Sequence, residues 1–290
     1  MPSSPKPRGR RSRGVLFDED GLQVRVDPDN PSGRFFVVHG LEASYIDLDD
    51  AAYLDFEYLR RIAETMDVLE PPPEPLDVVH LGGAGCALAR SFAATRPRSR
   101  QVVFEIDRRV LDTARRFLGL RTSERLAVRV KDAREGVAGL PDASADLVVG
   151  DAFVGSAVPR PLATVEFAAE ARRVLRSGGV YALNLIDHPP LDFARVQVAT
   201  LAEVFDQVLL AAEAPVLRGR RFGNVVLFGT DRSMPVEELA SLALRAPVPE
   251  KLLGRTEAMV FSGGAKPLRD ADLPFGAQGS DRLPAADEPA

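Results

Sequence analysis

The sequence predicts an α/β fold: a seven-stranded, doubly wound, mostly parallel sheet with a small N-terminal β unit. Three observations carry this. From Leu76 onward seven Val- and Leu-rich runs alternate with helical patterns, and they are continuously apolar, as strands covered on both faces are. The first run ends in the glycine turn Gly82-Gly83-Ala84-Gly85. With 45% hydrophobic and 27% charged residues among 290, the chain can bury a full core in one large domain or one domain with an appendage. No uncharged apolar run approaches the roughly 18 residues of a membrane span, so a soluble protein is expected.

The elements follow in order. Met1 to Arg13 is rich in Pro, Ser and Arg and lacks the apolar core of a secretory signal. Its cations Lys6, Arg8, Arg10, Arg11 and Arg13 read as a disordered tail, because a net charge of -5 argues against a body wrapped in nucleic acid. Residues 15–70 read as the β unit and its following helix. Short runs (Leu22 to Val26, Phe35 to Val38, Tyr45 to Leu48) alternate with turn residues such as Asp27-Pro28-Asp29-Asn30, which predicts hairpins. Leu54, Tyr58, Leu59, Ile62 and Met66 then recur at helical spacing over Ala51 to Met66, and Pro71-Pro72-Pro73 closes the unit as a stiff linker.

Residues 71–232 form the main domain, with strands predicted at Leu76 to Leu81, Val102 to Ile106, Leu126 to Val130, Ala145 to Val149, Val180 to Leu185, Val204 to Leu210 and Val225 to Phe228. The last two runs are joined by a segment too short for a crossover helix and read as an antiparallel pair. Residues 233–263 read as a helical extension, and 264–290, rich in Gly, Pro, Ala and Asp, as a second disordered tail. The single cysteine, Cys86, permits no internal disulfide and makes the cytoplasm the default location.

Ligands of open parallel sheets sit at the carboxyl ends of the strands, where the strand order reverses. Gly82, Gly83 and Gly85 let a backbone approach a ligand there, and the helix after Cys86 points its amide dipole at the same place. Leu88 stands where a dinucleotide fingerprint needs its third glycine, which argues against a pyrophosphate-binding dehydrogenase. Glu105 ends the second strand about 20 residues after the turn, the position of a ribose acceptor. Asp132 with Ala133 follows the third strand, where a carboxylate and a backbone amide can read an adenine; Asp is also a good helix N-cap, and the two roles are compatible. Asp151 ends the fourth strand and projects into the same cleft, where it can hold a cationic group of cofactor or substrate. A nucleoside cofactor is therefore the first hypothesis. Asp47, Asp49 and Asp50 read as a solvated cap and no metal is expected, since no His or Cys lies nearby. Cys86 reads as a packing residue.

These motifs, Leu-Gly-Gly-x-Gly, Glu105-Ile106-Asp107, Asp132-Ala133, Asp151 and Arg173-Val174-Leu175-Arg176-Ser177-Gly178-Gly179, resemble the spermidine synthase branch of the class I S-adenosylmethionine-dependent transferases, with a Rossmann-like methyltransferase fold, over about residues 33 to 230. The resemblance implies S-adenosylmethionine or its decarboxylated form as co-substrate, no metal, an amine as small-molecule acceptor, no membrane or specific nucleic-acid partner, and a homodimer. It maps the cofactor turn onto Gly82, Gly83 and Gly85, the ribose acceptor onto Glu105, the adenine site onto Asp132 and Ala133, and the first acid of the Asp-x-x-Asp-Pro loop onto Asp151. The chain departs from the pattern on the acceptor side. The second acid, base for the attacking amine, is Val154; the Gln before the acidic stretch is Ala43 or Ser44; Tyr-His-Glu becomes Tyr53-Leu54-Asp55. A positioned base is worth about 10² to 10⁴ in rate, and valine supplies none. Asp151, or Asp187-His188 after the fifth strand, is the remaining candidate. Aminopropyl transfer to a polyamine is the nominal activity; methyl transfer to a small acceptor, and nucleoside binding without catalysis as sensor or scaffold, are the alternatives.

Overall fold

Two-residue Asp20-Gly21 and His39-Gly40 turns, with φ of 52°, 79° and 49°, 85°, match the right-handed twist of the strands that they join. They set the first and last hairpins of a four-stranded antiparallel sheet, β1 (Val15–Glu19), β2 (Leu22–Val26), β3 (Gly33–Val38) and β4 (Leu41–Asp47), in that spatial order. One face, with Leu22, Val24, Phe36 and Ile46, is buried. This is a computed structural model, and it describes residues 14–274.

Helix α1 (Glu57–Leu69) starts six residues later than the apolar spacing predicts. Asp50 accepts from the amide of Ala52 at 2.9 Å in a tight turn, and Arg60 donates to the carbonyl of Leu54 at 2.7 Å, bonds that compete with a helix over 51–56. The predicted stripe is otherwise the buried face: Tyr58, Leu59, Ile62 and Met66.

The main domain then alternates β5 (Asp77–Gly82), α2 (Ala87–Thr95), β6 (Arg100–Glu105), α3 (Arg108–Phe117), β7 (Leu126–Val130), α4 (Ala133–Ala138), β8 (Ala145–Asp151), α5 (Val165–Val174), β9 (Leu175–Asp187), α6 (Asp192–Ala202), β10 (Gln207–Glu213), α7 (Ala214–Leu217), β11 (Gly223–Thr230), α8 (Val236–Arg245), β12 (Glu250–Leu253) and α9 (Arg255–Ser262). The strand order is β12-β10-β11-β9-β8-β5-β6-β7. Pairs among β5 to β9 are parallel, and β11 runs antiparallel to both β9 and β10, as the short connection requires. One face packs on α1, α2, α3, α8 and the N-terminal sheet, the other on α4, α5, α6 and α9. Each fully buried Leu, Val or Phe of these layers contributes roughly 1.5 to 3 kcal/mol relative to exposure.

Two expectations are corrected. The sheet has eight strands, because the C-terminal extension is not wholly helical: β12 pairs with β10, Glu250 opposite Glu213 and Leu253 opposite Leu210. Four residues are too few for a strand period to show, and what recruits them is long-range: β12 covers the open edge of β10, and Arg61 Nε donates to Glu250 Oε2 at 2.7 Å. The chain after Gly264 is also ordered as far as Pro274. Leu268 O accepts from Val165 N at 2.8 Å, Asp270 N donates to Glu166 at 2.9 Å, and Arg134 holds the Asp270 carboxylate. The basic arm up to Arg13 and residues 275–290 lie outside the described residues.

Candidate functional site

Strand β5 has β6 on one side and β8 on the other, so the chain's order reverses at its carboxyl end. Gly82 is there with φ of 78°, in register with Asp151. A Cβ on Gly82 would stand 2.6 Å from the carbonyl oxygen of Asp151 and 2.8 Å from Cα of Ala152. A Gly82→Ala protein is expected to lose about 2 kcal/mol of stability, from the left-handed backbone and the forced separation of two strands. Urea unfolding checks this; an unchanged midpoint refutes the close approach. Gly83, φ 124°, faces open space, and Gly85 N donates to Ser44 Oγ at 3.1 Å, which ties the N-terminal sheet to the turn. Cys86 caps α2 without a side-chain bond, so the amides of its first turn remain available to a ligand. Burial pushes the Cys86 thiol up to about 12, which keeps it protonated.

Because strand side chains alternate, Gly82, Glu105, Asp151, Asn184 and Asn224 fall on the same face of the sheet. Glu105 is half-buried. Desolvation raises its pKa, and the amides of Asp107, Ile106 and Ala84 act the other way; Asp107 N donates to it at 3.0 Å. Asp151 is pushed up to about 6 by desolvation, against hydrogen bonds from Asn184 Nδ2 (2.9 Å) and Tyr58 Oη (3.0 Å), with the charge of Glu105 adding to the rise. Asn224 Nδ2 donates in turn to Asn184 Oδ1 at 2.9 Å. Among the described residues neither Glu105 nor Asp151 has a salt-bridge partner. Two such carboxylates in one desolvated field make this end of the sheet the candidate site.

Asp132 heads α4, where its side chain accepts from Glu135 N at 3.1 Å, and Ala133 is buried behind it. Lys131 N donates to the carbonyl of Glu105 at 3.0 Å, which sets this loop beside the tip of β6. Beneath the turn lies a cavity of about 20 Å³, room for one water, lined among others by Ser44, Tyr58, His80, Gly82, Cys86 and Asp151. His80 is buried and burial depresses its pKa to about 4. Gln101 donates to the carbonyl of Ala89, so its oxygen receives the Nε2 proton of a neutral His80 at 2.9 Å.

Several residues fall elsewhere than expected. Of the Ala43 or Ser44 pair, Ser44 is the one on the turn. Tyr53 and Asp55 bond each other at 3.0 Å and line a separate groove of about 690 Å³ over the outer side of α1 and α2. The tyrosine that reaches Asp151 is Tyr58, which the sequence presents as one more apolar position of a helix. Asn184, Asn224 and His80 were legible only as lone polar residues in or beside apolar runs. Val154 is exposed at a small turn, its amide donating to Ala157 O at 2.9 Å. Asp187 caps the loop after β9, and His188 is exposed, stacked on Phe222 with ring centroids 5.2 Å apart. Asp47 accepts from the amide of Asp49 and from the side chains of Ser32 and Asn30, with a smaller share from the Asp50 amide, and these bonds lower its pKa to about 2. No helix among the described residues is long and apolar enough to cross a membrane, and none of their His, Cys, Asp and Glu side chains form a group of three placed for a metal.

Comparison with known proteins adds three findings. No family model matches the chain. A polyamine aminopropyltransferase of Vibrio vulnificus (strain CMCP6) is 31% identical over 149 residues, 49% of this chain and 49% of that protein, so the chain spans about half the length of the curated relative it matches. The crystal structure of a probable spermidine synthase from Corynebacterium glutamicum ATCC 13032 superposes with a TM-score of 0.81 at 29% identity, covering 95% of this chain and 99% of that one. A spermidine synthase in complex with the transition state analogue AdoDATO shares the fold alone, with a TM-score of 0.59, 17% identity and coverage of 86% and 84%.

Proposed function

Because the chain is spermidine synthase-like in sequence and fold, we propose that it transfers a group, nominally aminopropyl, from an S-adenosylmethionine-type sulfonium to an amine. The observation that carries this is the pair of half-buried carboxylates without cationic partners, Glu105 and Asp151, on either side of the glycine turn. In this reading Gly82, Gly83 and Gly85 bring the backbone against the nucleoside, Glu105 accepts from the ribose hydroxyls, and Asp132 and Ala133 meet the adenine. The residues fit such a ligand: Gly83 opens onto free space, and the amides at the head of α2 have no side-chain cap. The sulfonium supplies an activated carbon; the rest is asked of the protein. Asp151 receives the proton of the attacking amine, while Tyr58 and Asn184 hold its carboxylate in one orientation. Val154 in the second acid's place leaves Asp151 as the base.

Calorimetric titration tests the reading. Preference for the decarboxylated sulfonium supports aminopropyl transfer, preference for the intact one supports methyl transfer, and binding of neither refutes the site. Glu105→Ala is expected to weaken nucleoside binding by about 1.5 to 3 kcal/mol, the range for hydrogen bonds to charged groups. Asp132→Ala is expected to do the same, with about 1 kcal/mol of stability lost with its cap. Asp132→Ser restores the cap but not the affinity. Parent-like affinity in either alanine variant removes that residue from the site. The reading also carries a homodimer and a cytoplasmic location, which sedimentation and cell fractionation check.

A further inference from the structure

We propose that the acceptor end of this site selects an amine with one positive charge and a flat apolar body, not a polyamine, and that Phe222 is the residue that selects it. The inference rests on the transferase reading above and concerns only the acceptor.

The starting point is the face that carries Asp151. Asn184, Ile186 and His188 succeed one another on the same side of β9 and its extension, and Phe222 and Asn224 do so at the start of β11. Asp187 is opposite Gly223 and Ile186 opposite Asn224, so the register continues to His188 opposite Phe222. The rings confirm it, stacked with an interplanar angle of 26°. The stack therefore stands on the face of the Asp151, Asn184, Asn224 network, and Phe222 is two residues outward from Asn224, about 7 Å at strand rise. Phe222 has His188 against one face and is still 59% exposed, costly for a ring of that size.

Charge supplies the second argument. The segments around this end are 152–164, 187–191 and 213–222. They hold four arginines, Arg160, Arg218, Arg220 and Arg221, against two carboxylates, Asp187 and Glu213. Both carboxylates are engaged: Asp187 accepts from the amides of His188 and Ala194, each at 2.8 Å, and Glu213 is paired with Arg221. From the N-terminal side, Glu57 is paired with Arg60, and Asp55 lines the other groove. A first ammonium finds Asp151. A second ammonium, several carbons away at this end, meets Asp187, whose oxygens already accept from two amides, and the guanidinium groups of Arg160, Arg218 and Arg220. An aromatic or other flat body meets Phe222.

The test loads the full chain with 5′-methylthioadenosine and titrates 2-phenylethylamine and 1,4-diaminobutane by calorimetry. The arylamine is expected to bind at least tenfold tighter than the diamine. Phe222→Ala, at an exposed position that leaves folding intact, is expected to erase that preference, and Phe222→Tyr to restore it. Val154→Asp is expected to raise diamine affinity several-fold. Equal or tighter diamine binding, no binding of either amine to the loaded protein, or an unchanged preference in Phe222→Ala overturns the proposal. Failure of 5′-methylthioadenosine itself to bind overturns the transferase reading beneath it, so the two failures are distinguishable.

Discussion

An Asp151→Asn variant is expected to turn over an amine about 10² to 10⁴ times more slowly than the parent, the worth of a positioned base, with nucleoside affinity little changed. The substitution isolates the proton. Asn184 Nδ2 still finds an oxygen acceptor, and the Tyr58 hydroxyl turns from donor to acceptor. The pH dependence has a defined sign. Asp151 is pushed up to about 6, first by desolvation, so turnover rises as pH passes upward through that value and the carboxylate ionises. Glu105→Gln removes a like charge, and the inflection moves to lower pH. For folding the same shift acts in reverse: a buried carboxyl with a raised pKa destabilises the fold above about pH 6, and this penalty is relieved as pH falls through that value. Steady-state rates from pH 5 to 8 decide the matter. A flat profile, or an Asp151→Asn enzyme with parental turnover, means that another group takes the proton.

Glu250→Ala is expected to destabilise the protein by about 3 to 5 kcal/mol, the cost of leaving one member of a buried ion pair alone. The Arg61 side chain is 2% exposed and that of Glu250 5%, and Arg61's other carboxylate, Glu64, is at the surface at 37%. The Glu250 pKa is raised, desolvation outweighing the hydrogen bond and attraction of Arg61, and the desolvation of a buried pair offsets most of its attraction. Replacing both partners, Arg61→Met with Glu250→Leu, is therefore expected to come within about 1 kcal/mol of the parent, as apolar replacements of buried pairs do. Urea denaturation of the single and double variants checks both numbers, and equal losses in the two refute the account. The site should feel the single variant too. Arg61 is one turn after Tyr58 on α1, so β12 is joined through one helix to the hydroxyl that orients Asp151.

How much of this was legible beforehand depends on the range of the interactions. The runs from Leu76 to Phe228 declare their strands because each is buried on both faces, and burial shows directly as unbroken Val and Leu. The glycine turn and the acids at the tips of β6 and β8 are equally plain, since backbone freedom and a charge at a strand end are properties of single residues. The N-cap of Asp132 is local in the same way. Tyr58, by contrast, is 93 positions from Asp151, and Glu250 is 189 from Arg61. Nothing local marks either residue, because Tyr58 obeys the helix period and Glu250 belongs to a strand of four residues.

The sequence by itself thus determined the layered α/β sheet, the position of its glycine turn and the carboxylates at its carboxyl edge, because periodicity and backbone geometry are read within a few residues. Only the tertiary structure decided that β12 covers the edge of the sheet, that Tyr58 and Asn184 hold Asp151 with Asn224 behind Asn184, and that His188 and Phe222 stack. Those depend on the register between strands and on helices packed across the sheet, which bring together residues whose own neighbours in the chain are indifferent to the contact.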